Sequence, residues 1–152
     1  MRHGAERIAV EVKRPESEKR VAASVDDCRA KFADHEDCWG AIILELTDCV
    51  MPARLDQLQA KASDLFRDAH NAVWDGDKAL PRPGFERVVY LGAVYRGAWA
   101  IAGPTAPRLQ LIGNAMHHGY GGISASKQDQ VSLWFQEQAN RWYDGVITRM
   151  DQ

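Results

Sequence analysis

The chain is organised around the stretch Arg7-Ile8-Ala9-Val10-Glu11-Val12-Lys13-Arg14-Pro15. Its residues alternate with the period of a β-strand, so that Glu11 and Lys13 share one face and the valines share the other. Side chains two residues apart on a strand project the same way, about 6–7 Å apart. At that separation one group can hold a metal ion while the other steadies a water molecule or a phosphate.

The residues that follow predict a strand-helix-strand unit. Pro15 ends the first strand, and Ser17 is placed to cap a helix of about four turns. Residues 39–47 then form a nearly unbroken apolar run, which is typical of a strand buried in the middle of a sheet. The order strand, helix, strand predicts a right-handed crossover between two parallel strands. The apolar stripe of the helix consists of Val21, Val25, Cys28 and Phe32.

This unit, over about residues 5–48, resembles the second half of the core of the PD-(D/E)XK nuclease superfamily. The resemblance rests on an apolar strand with Glu-x-Lys, an amphipathic helix and a buried strand. It implies that Glu11 ligates Mg²⁺ (or Mn²⁺), that the Val12 backbone carbonyl is a further ligand, and that Lys13 orients or activates the attacking water. The implied activity is hydrolysis of phosphodiester bonds in nucleic acid.

One catalytic part of that family is missing from this chain. The family carries an Asp on the preceding strand of a hairpin, whereas Glu6 is the sole carboxylate upstream of Glu11. We favour a truncated form, in which residues 2–7 are the tip of a hairpin whose first strand is absent. The alternatives are an inactive relative, or a chance motif in which the two charges form a solvated ion pair. With Glu11 alone, Mg²⁺ would be held weakly.

Composition predicts a single domain over residues 1–152, with the nuclease-like unit in residues 1–50. The chain has 152 residues, of which 45% are hydrophobic and 26% charged, close to the globular average. A net charge of −2 excludes a generally basic surface, so DNA binding would require a local basic patch. The candidates for that patch are Arg2, Arg7, Lys13, Arg14, Lys19 and Arg20.

The cysteines and the hydropathy pattern predict a soluble, cytoplasmic protein. Cys28, Cys38 and Cys49 include no Cys-x-x-Cys pair, so neither a zinc site nor a disulfide framework is indicated. Cys28 lies on the apolar stripe and is predicted to be a small buried hydrophobic residue. No apolar run has the length of a signal peptide or of a membrane span.

Residues 51–102 predict a helix, a loop and a hairpin. An apolar stripe from Leu55 to about Trp74 predicts a surface helix, with His70 partly buried beside the stripe. Residues 75–84 contain two Pro and two Gly and predict a loop. Residues 87–95 and 98–102 predict two strands joined by a turn at Arg96-Gly97.

The last third predicts a short strand at 109–112, a Gly/His loop at 113–122 and a helix at 124–149. His117 or His118 could act as a general base or as a single metal ligand, but a flexible loop without function is the simpler interpretation. Ser126 is predicted to cap the helix. The predicted inner face of the helix comprises Val131, Trp134, Phe135, Gln138, Trp142 and Val146.

Together these features predict an α/β fold with a mixed sheet flanked by helices, similar to a restriction-endonuclease-like core that lacks its first strands. The leading functional hypothesis is a metal-dependent nuclease-like protein that acts on DNA. The alternative is a non-catalytic nuclease-like module that binds a protein or a nucleic acid.

Overall fold

A computed structural model describes residues 7–34, 37–76, 80–106, 108–119 and 124–150; for residues 99–101, 108–111 and 142–150 it describes the backbone alone. The described chain is a four-stranded mixed sheet with helices on both faces, which confirms the prediction of an α/β fold with a mixed sheet flanked by helices. The strand order is β1-β2-β5-β6, and β1, β2 and β5 are parallel while β6 is antiparallel to β5. These strands are β1 (Ile8–Lys13), β2 (Trp39–Glu45), β5 (Val88–Ile101) and β6 (Arg108–Gly119).

Five helices and one small ribbon complete the described fold. The ribbon pairs two short antiparallel strands after the long fourth helix. Short 3-10 turns at Glu18–Arg20 and Leu55–Gln57 precede the first and fourth helices. The remaining elements are α1 (Val21–Asp26), α2 (Cys28–Ala33), α3 (Thr47–Val50), α4 (Leu58–Val73), β3 (Trp74–Asp75), β4 (Leu80–Pro81) and α5 (Ala125–Met150).

The sheet buries a different set of side chains on each face. On one face Ile42 and Leu44 of β2 pack in a large core under α1, α2, α3 and α4. On the other face Ala41 and Ile43 pack in a smaller core with Phe135 of α5. Because successive side chains of a strand point to opposite faces, the unbroken apolar sequence of β2 fills both cores.

The strand-helix-strand unit is present, with β1 and β2 parallel from Ile8 opposite Trp39 to Lys13 opposite Leu44. Its helix is divided at Asp27 into α1 and α2. Ser17 occupies an N-cap position but makes no side-chain capping hydrogen bond. Gly40 is required where it stands, since a Cβ there would lie 2.9 Å from the ring of Phe32.

The predicted turn at Arg96-Gly97 is wrong. Both residues lie inside the continuous strand β5, where Arg96 pairs with Gly113 and Gly97 with Ile112 of β6. The chain reverses instead between Ile101 and Arg108, around Gly103-Pro104. A long antiparallel partner strand outweighs a local turn signal, because every second residue along the ladder exchanges a pair of backbone hydrogen bonds with its partner.

The predicted Gly/His loop is also wrong for residues 113–119, which belong to β6. Residues 120–122 lie outside the described part of the chain. The glycines suggested a loop, but Gly113 faces Arg96 of β5 and Gly119 faces Tyr90. Loss of side-chain packing at a glycine weakens a strand without preventing its pairing.

The C-terminal helix begins one residue earlier than the predicted cap, at Ala125, so that Ser124 rather than Ser126 precedes its first turn. Its inner face also differs from the prediction. Val131 and Phe135 are buried, whereas Trp134 is 41% exposed and Gln138 is exposed. The side chains of Trp142 and Val146 lie outside the described part.

Candidate functional site

Glu11 and Lys13 lie on the same face of β1, at the edge of the sheet. Ala9, which shares their face, packs against the large core under α1 and α2. The two charged side chains are half-buried there, whereas Val10 and Val12 on the opposite face are 39% and 62% exposed. The predicted alternation is present, and the charged face is the one that the short helices cover.

Lys31 of α2 is the direct neighbour of Glu11. Its Nζ donates a hydrogen bond of 2.8 Å to Glu11 Oε2, and the Glu11 side chain is 24% exposed. This hydrogen bond and the carboxylate charge raise the pKa of Lys31. Lys31 was not predicted from the sequence as a site residue. The sequence feature that could have indicated it is its position three residues after Cys28, which places it beside the apolar stripe of the helix.

The Val12 carbonyl points away from the sheet interior. Arg7 O accepts a hydrogen bond of 2.8 Å from Trp39 N, so the odd-numbered residues of β1 direct their backbone groups toward β2. The N–H and C=O groups of Ile8, Val10 and Val12 therefore face the opposite side, which we call the free edge of β1. No strand among the described residues pairs with this edge.

Among the described residues, no group of three or more His, Cys, Asp or Glu side chains is placed to hold a metal ion at Glu11 or elsewhere. Glu45 of β2 lies on the other face of the sheet and accepts hydrogen bonds from the backbone N–H and the hydroxyl of Thr47. One carboxylate and one carbonyl meet the lower limit of what a protein supplies to Mg²⁺, which takes further oxygens from phosphate and water.

Cys28 of α2 is a buried neighbour of the Glu11, Lys13 and Lys31 charges. It is fully buried, and its Sγ–H donates to the Ser24 carbonyl over 3.4 Å. Burial raises the pKa of Cys28 from 9.0 to about 11; the nearby Lys13 ammonium opposes this shift and Glu11 adds to it. The thiol therefore stays protonated and inert at neutral pH, in agreement with the predicted structural role.

This burial leads to a labelling prediction at pH 8. A small thiol reagent is expected to modify Cys38 in the folded protein, because Cys38 is only half-buried, and to reach Cys28 and Cys49 only after unfolding. Mass spectrometry counts the modified thiols, and Cys38→Ser should abolish native labelling. Equal rates at all three cysteines would contradict this arrangement.

Two residues of the predicted basic patch form ion pairs. Arg7 pairs with Asp37, and Arg14 Nε and Nη2 donate to the two oxygens of Asp48 over 2.9 and 3.1 Å. Arg2 lies outside the described part of the chain. Lys13 shares the β1 face of Glu11, and Lys31 donates to its carboxylate.

The two adjacent histidines of β6 point to opposite faces of the sheet. His118 lies 5.2 Å from His70 and 6.3 Å from Trp74 between ring centroids, whereas His117 stacks on Tyr90 at 5.8 Å. Burial, followed by the neighbouring imidazoles, lowers the pKa of His118. His70 is half-buried on α4, as predicted. These rings pack against aromatic neighbours on α4 and β5.

No protein-family model, curated protein or solved structure matches this chain significantly. No helix in the described ranges is both long and apolar enough to cross a membrane. Any proposal for the function of this chain must therefore rest on the geometry of β1 and its surroundings.

A second surface lies on the other face of β1. Val10 lines a groove of about 510 Å³ with Val131 and Trp134 of α5, and Val12 lines an adjoining groove with Trp134 and Phe135. Val10, Val12 and Trp134 thus form an exposed apolar strip, which we call the valine strip. It runs directly along the free edge of β1.

Proposed function

We propose that this chain is a metal-dependent nuclease-like protein of the PD-(D/E)XK type. The observation that carries the proposal is the placement of Glu11 and Lys13 on one face of an edge strand, next to a buried parallel strand, with the Val12 carbonyl on the free edge. The parallel pairing of β1 and β2 around α1 and α2 agrees with the resemblance read from the sequence.

In the proposed reaction, Glu11 and the Val12 carbonyl would hold a Mg²⁺ or Mn²⁺ ion, which would supply Lewis-acid polarisation of the scissile phosphate. Lys13 orients the attacking water and stabilises the negative charge that develops on it. The oxygen of this water bonds to phosphorus, the bond to the leaving sugar oxygen breaks, the water proton passes to solvent, and the leaving oxygen takes up a proton from solvent. Lys31 adds a second positive charge beside the phosphate once its hydrogen bond to Glu11 opens.

The direct test is cleavage of supercoiled plasmid DNA in Mg²⁺ or Mn²⁺. We expect cleavage that requires a high metal concentration, because one carboxylate holds the ion weakly, and that falls to the protein-free background in Lys13→Ala. Lys19→Ala is the matched control, since Lys19 is exposed in the Glu18–Arg20 turn outside β1 and should retain cleavage. Absence of cleavage in the unchanged protein, or full cleavage by Lys13→Ala, would refute the proposal.

The second candidate, a non-catalytic interaction module, is favoured by a different observation. The valine strip exposes 39% of Val10, 62% of Val12 and 41% of Trp134 beside unpaired backbone groups. Exposed apolar surface next to an open strand edge is typical of protein interaction sites.

A further inference from the structure

We propose that the free edge of β1 pairs with the β1 strand of a second copy of this chain, antiparallel about a two-fold axis at Val12, to form one continuous eight-stranded sheet. The dimer itself does not rest on the nuclease proposal. It rests on the backbone groups, the charges and the exposed apolar side chains of one strand.

The backbone of β1 has unpaired hydrogen-bonding groups that a second strand could use. The N–H and C=O groups of Val10 and Val12 point outward along the free edge, and no described strand satisfies them. Open edges of this kind recruit further strands by hydrogen bonding. Arg14 precedes Pro15, and a residue before proline is held in extended conformation, so the pairing can continue from Val10 through Arg14.

Charge selects a second copy as the occupant and fixes the register. When Val12 faces Val12 of the second copy, Glu11 lies opposite its Lys13, and the reverse contact forms by symmetry. A register centred on Glu11 would oppose two carboxylates, and one centred on Val10 would oppose Arg7 and Lys13. The register centred on Val12 thus joins opposite charges on both sides of the axis.

The groups needed for these ion pairs are available. Residues 11 and 13 form non-hydrogen-bonded pairs in this register, which bring their Cα atoms to about 4.5 Å and their side chains close together. Lys31 occupies Oε2 of Glu11 and leaves Oε1 for the lysine of the second copy. Lys13 has no salt-bridge partner among the residues that the structure describes.

Apolar burial favours the same arrangement. The two-fold axis places both valine strips side by side on the α5 face of the joined sheet. Val12, the most exposed large apolar residue in the described chain at 62%, then meets its own copy at the centre. Isologous contacts of this kind are the commonest basis of symmetric dimers.

The pairing also makes the two Glu11 side chains diagonal neighbours on one face, about 7–8 Å apart. Because the pairing occupies both oxygens of Glu11 and the outward carbonyl of Val12, the dimer would compete with the metal site proposed above. This consequence alone rests on the proposed function.

Sedimentation of charge-reversal variants tests the dimer and its register together. We expect the unchanged protein to sediment at twice its 17.0 kDa mass. Lys13→Glu and Glu11→Lys should each sediment at 17.0 kDa, because each opposes like charges, and an equal mixture should recover the doubled mass as a heterodimer. Lys19→Glu is the control and should remain dimeric.

Val12→Pro tests the backbone contribution. Proline deletes an outward N–H and leaves the bonds to β2 intact, so this variant should be monomeric while keeping the far-ultraviolet circular dichroism spectrum of the folded chain. A mass of 17.0 kDa for the unchanged protein at all concentrations, or doubled masses for both charge variants alone, would overturn the dimer. Neither readout uses DNA or metal, so failure of the dimer is distinguishable from failure of the nuclease proposal.

Discussion

Replacement of Trp74 by alanine is expected to lower the free energy of unfolding by about 3–5 kcal/mol. Trp74 is 1% exposed and is the largest fully buried side chain among those that the structure describes. It sits where α4 ends and β3 begins, with the His70 ring 5.2 Å away and the His118 ring 6.3 Å away. Its loss would open a cavity between α4 and β6 that the rigid sheet cannot close.

Urea unfolding followed by far-ultraviolet circular dichroism measures this effect without relying on tryptophan emission. Trp134→Ala is the matched control, because Trp134 is 41% exposed and the same chemical change removes less buried surface. We expect the control to lower the free energy of unfolding by clearly less than Trp74→Ala does. Equal losses of unfolding free energy in the two variants would contradict the difference in burial between the Trp74 and Trp134 rings.

Replacement of Phe135 by alanine is also expected to lower the free energy of unfolding by about 3–5 kcal/mol, and to loosen α5 from the sheet. Phe135 is 2% exposed and contacts the Tyr90 ring edge-on, with 6.1 Å between centroids. Gly92 permits this approach, since a Cβ there would lie 3.2 Å from the phenylalanine ring. Phe135 and Val131 are the buried side chains of α5 in its described part.

Hydrogen exchange of the α5 amides, measured with the urea midpoint, separates loosening of the helix from global unfolding. Protection should fall along α5 before it falls in β2 or β5. Leu133→Ala, two residues away and 59% exposed, provides the control and should leave both measurements nearly unchanged. If Phe135→Ala retained full protection along α5, the helix would be held by contacts other than this ring.

The functional proposals and the stability predictions concern different parts of the sheet. Trp74 and Phe135 anchor helices to its two faces, whereas Glu11, Lys13 and Val12 lie on its edge. Val12 is 62% exposed, and Val12→Pro removes no core contact. An oligomerisation or cleavage defect in the edge variants can therefore be separated from a defect in folding.

The sequence determined the elements whose signals are local. The alternation in residues 8–13, the apolar run from Trp39 and the stripe of α4 each specify an element through its own hydrophobic period, and the structure has all three. The parallel pairing of β1 and β2 followed from them, because a strand-helix-strand unit has few ways to pack.

Several features are not determined by the hydrophobic period of a single element and depend on the tertiary structure. Whether Arg96-Gly97 turns or continues depends on the partner strand β6, and whether the valines of β1 are buried depends on where α5 lies. The Lys31 contact with Glu11 joins residues twenty apart, and the free edge of β1 is defined by which strands pair elsewhere. Periodicity fixes which residues share a face, but the assembled sheet alone decides what each face and each edge meets.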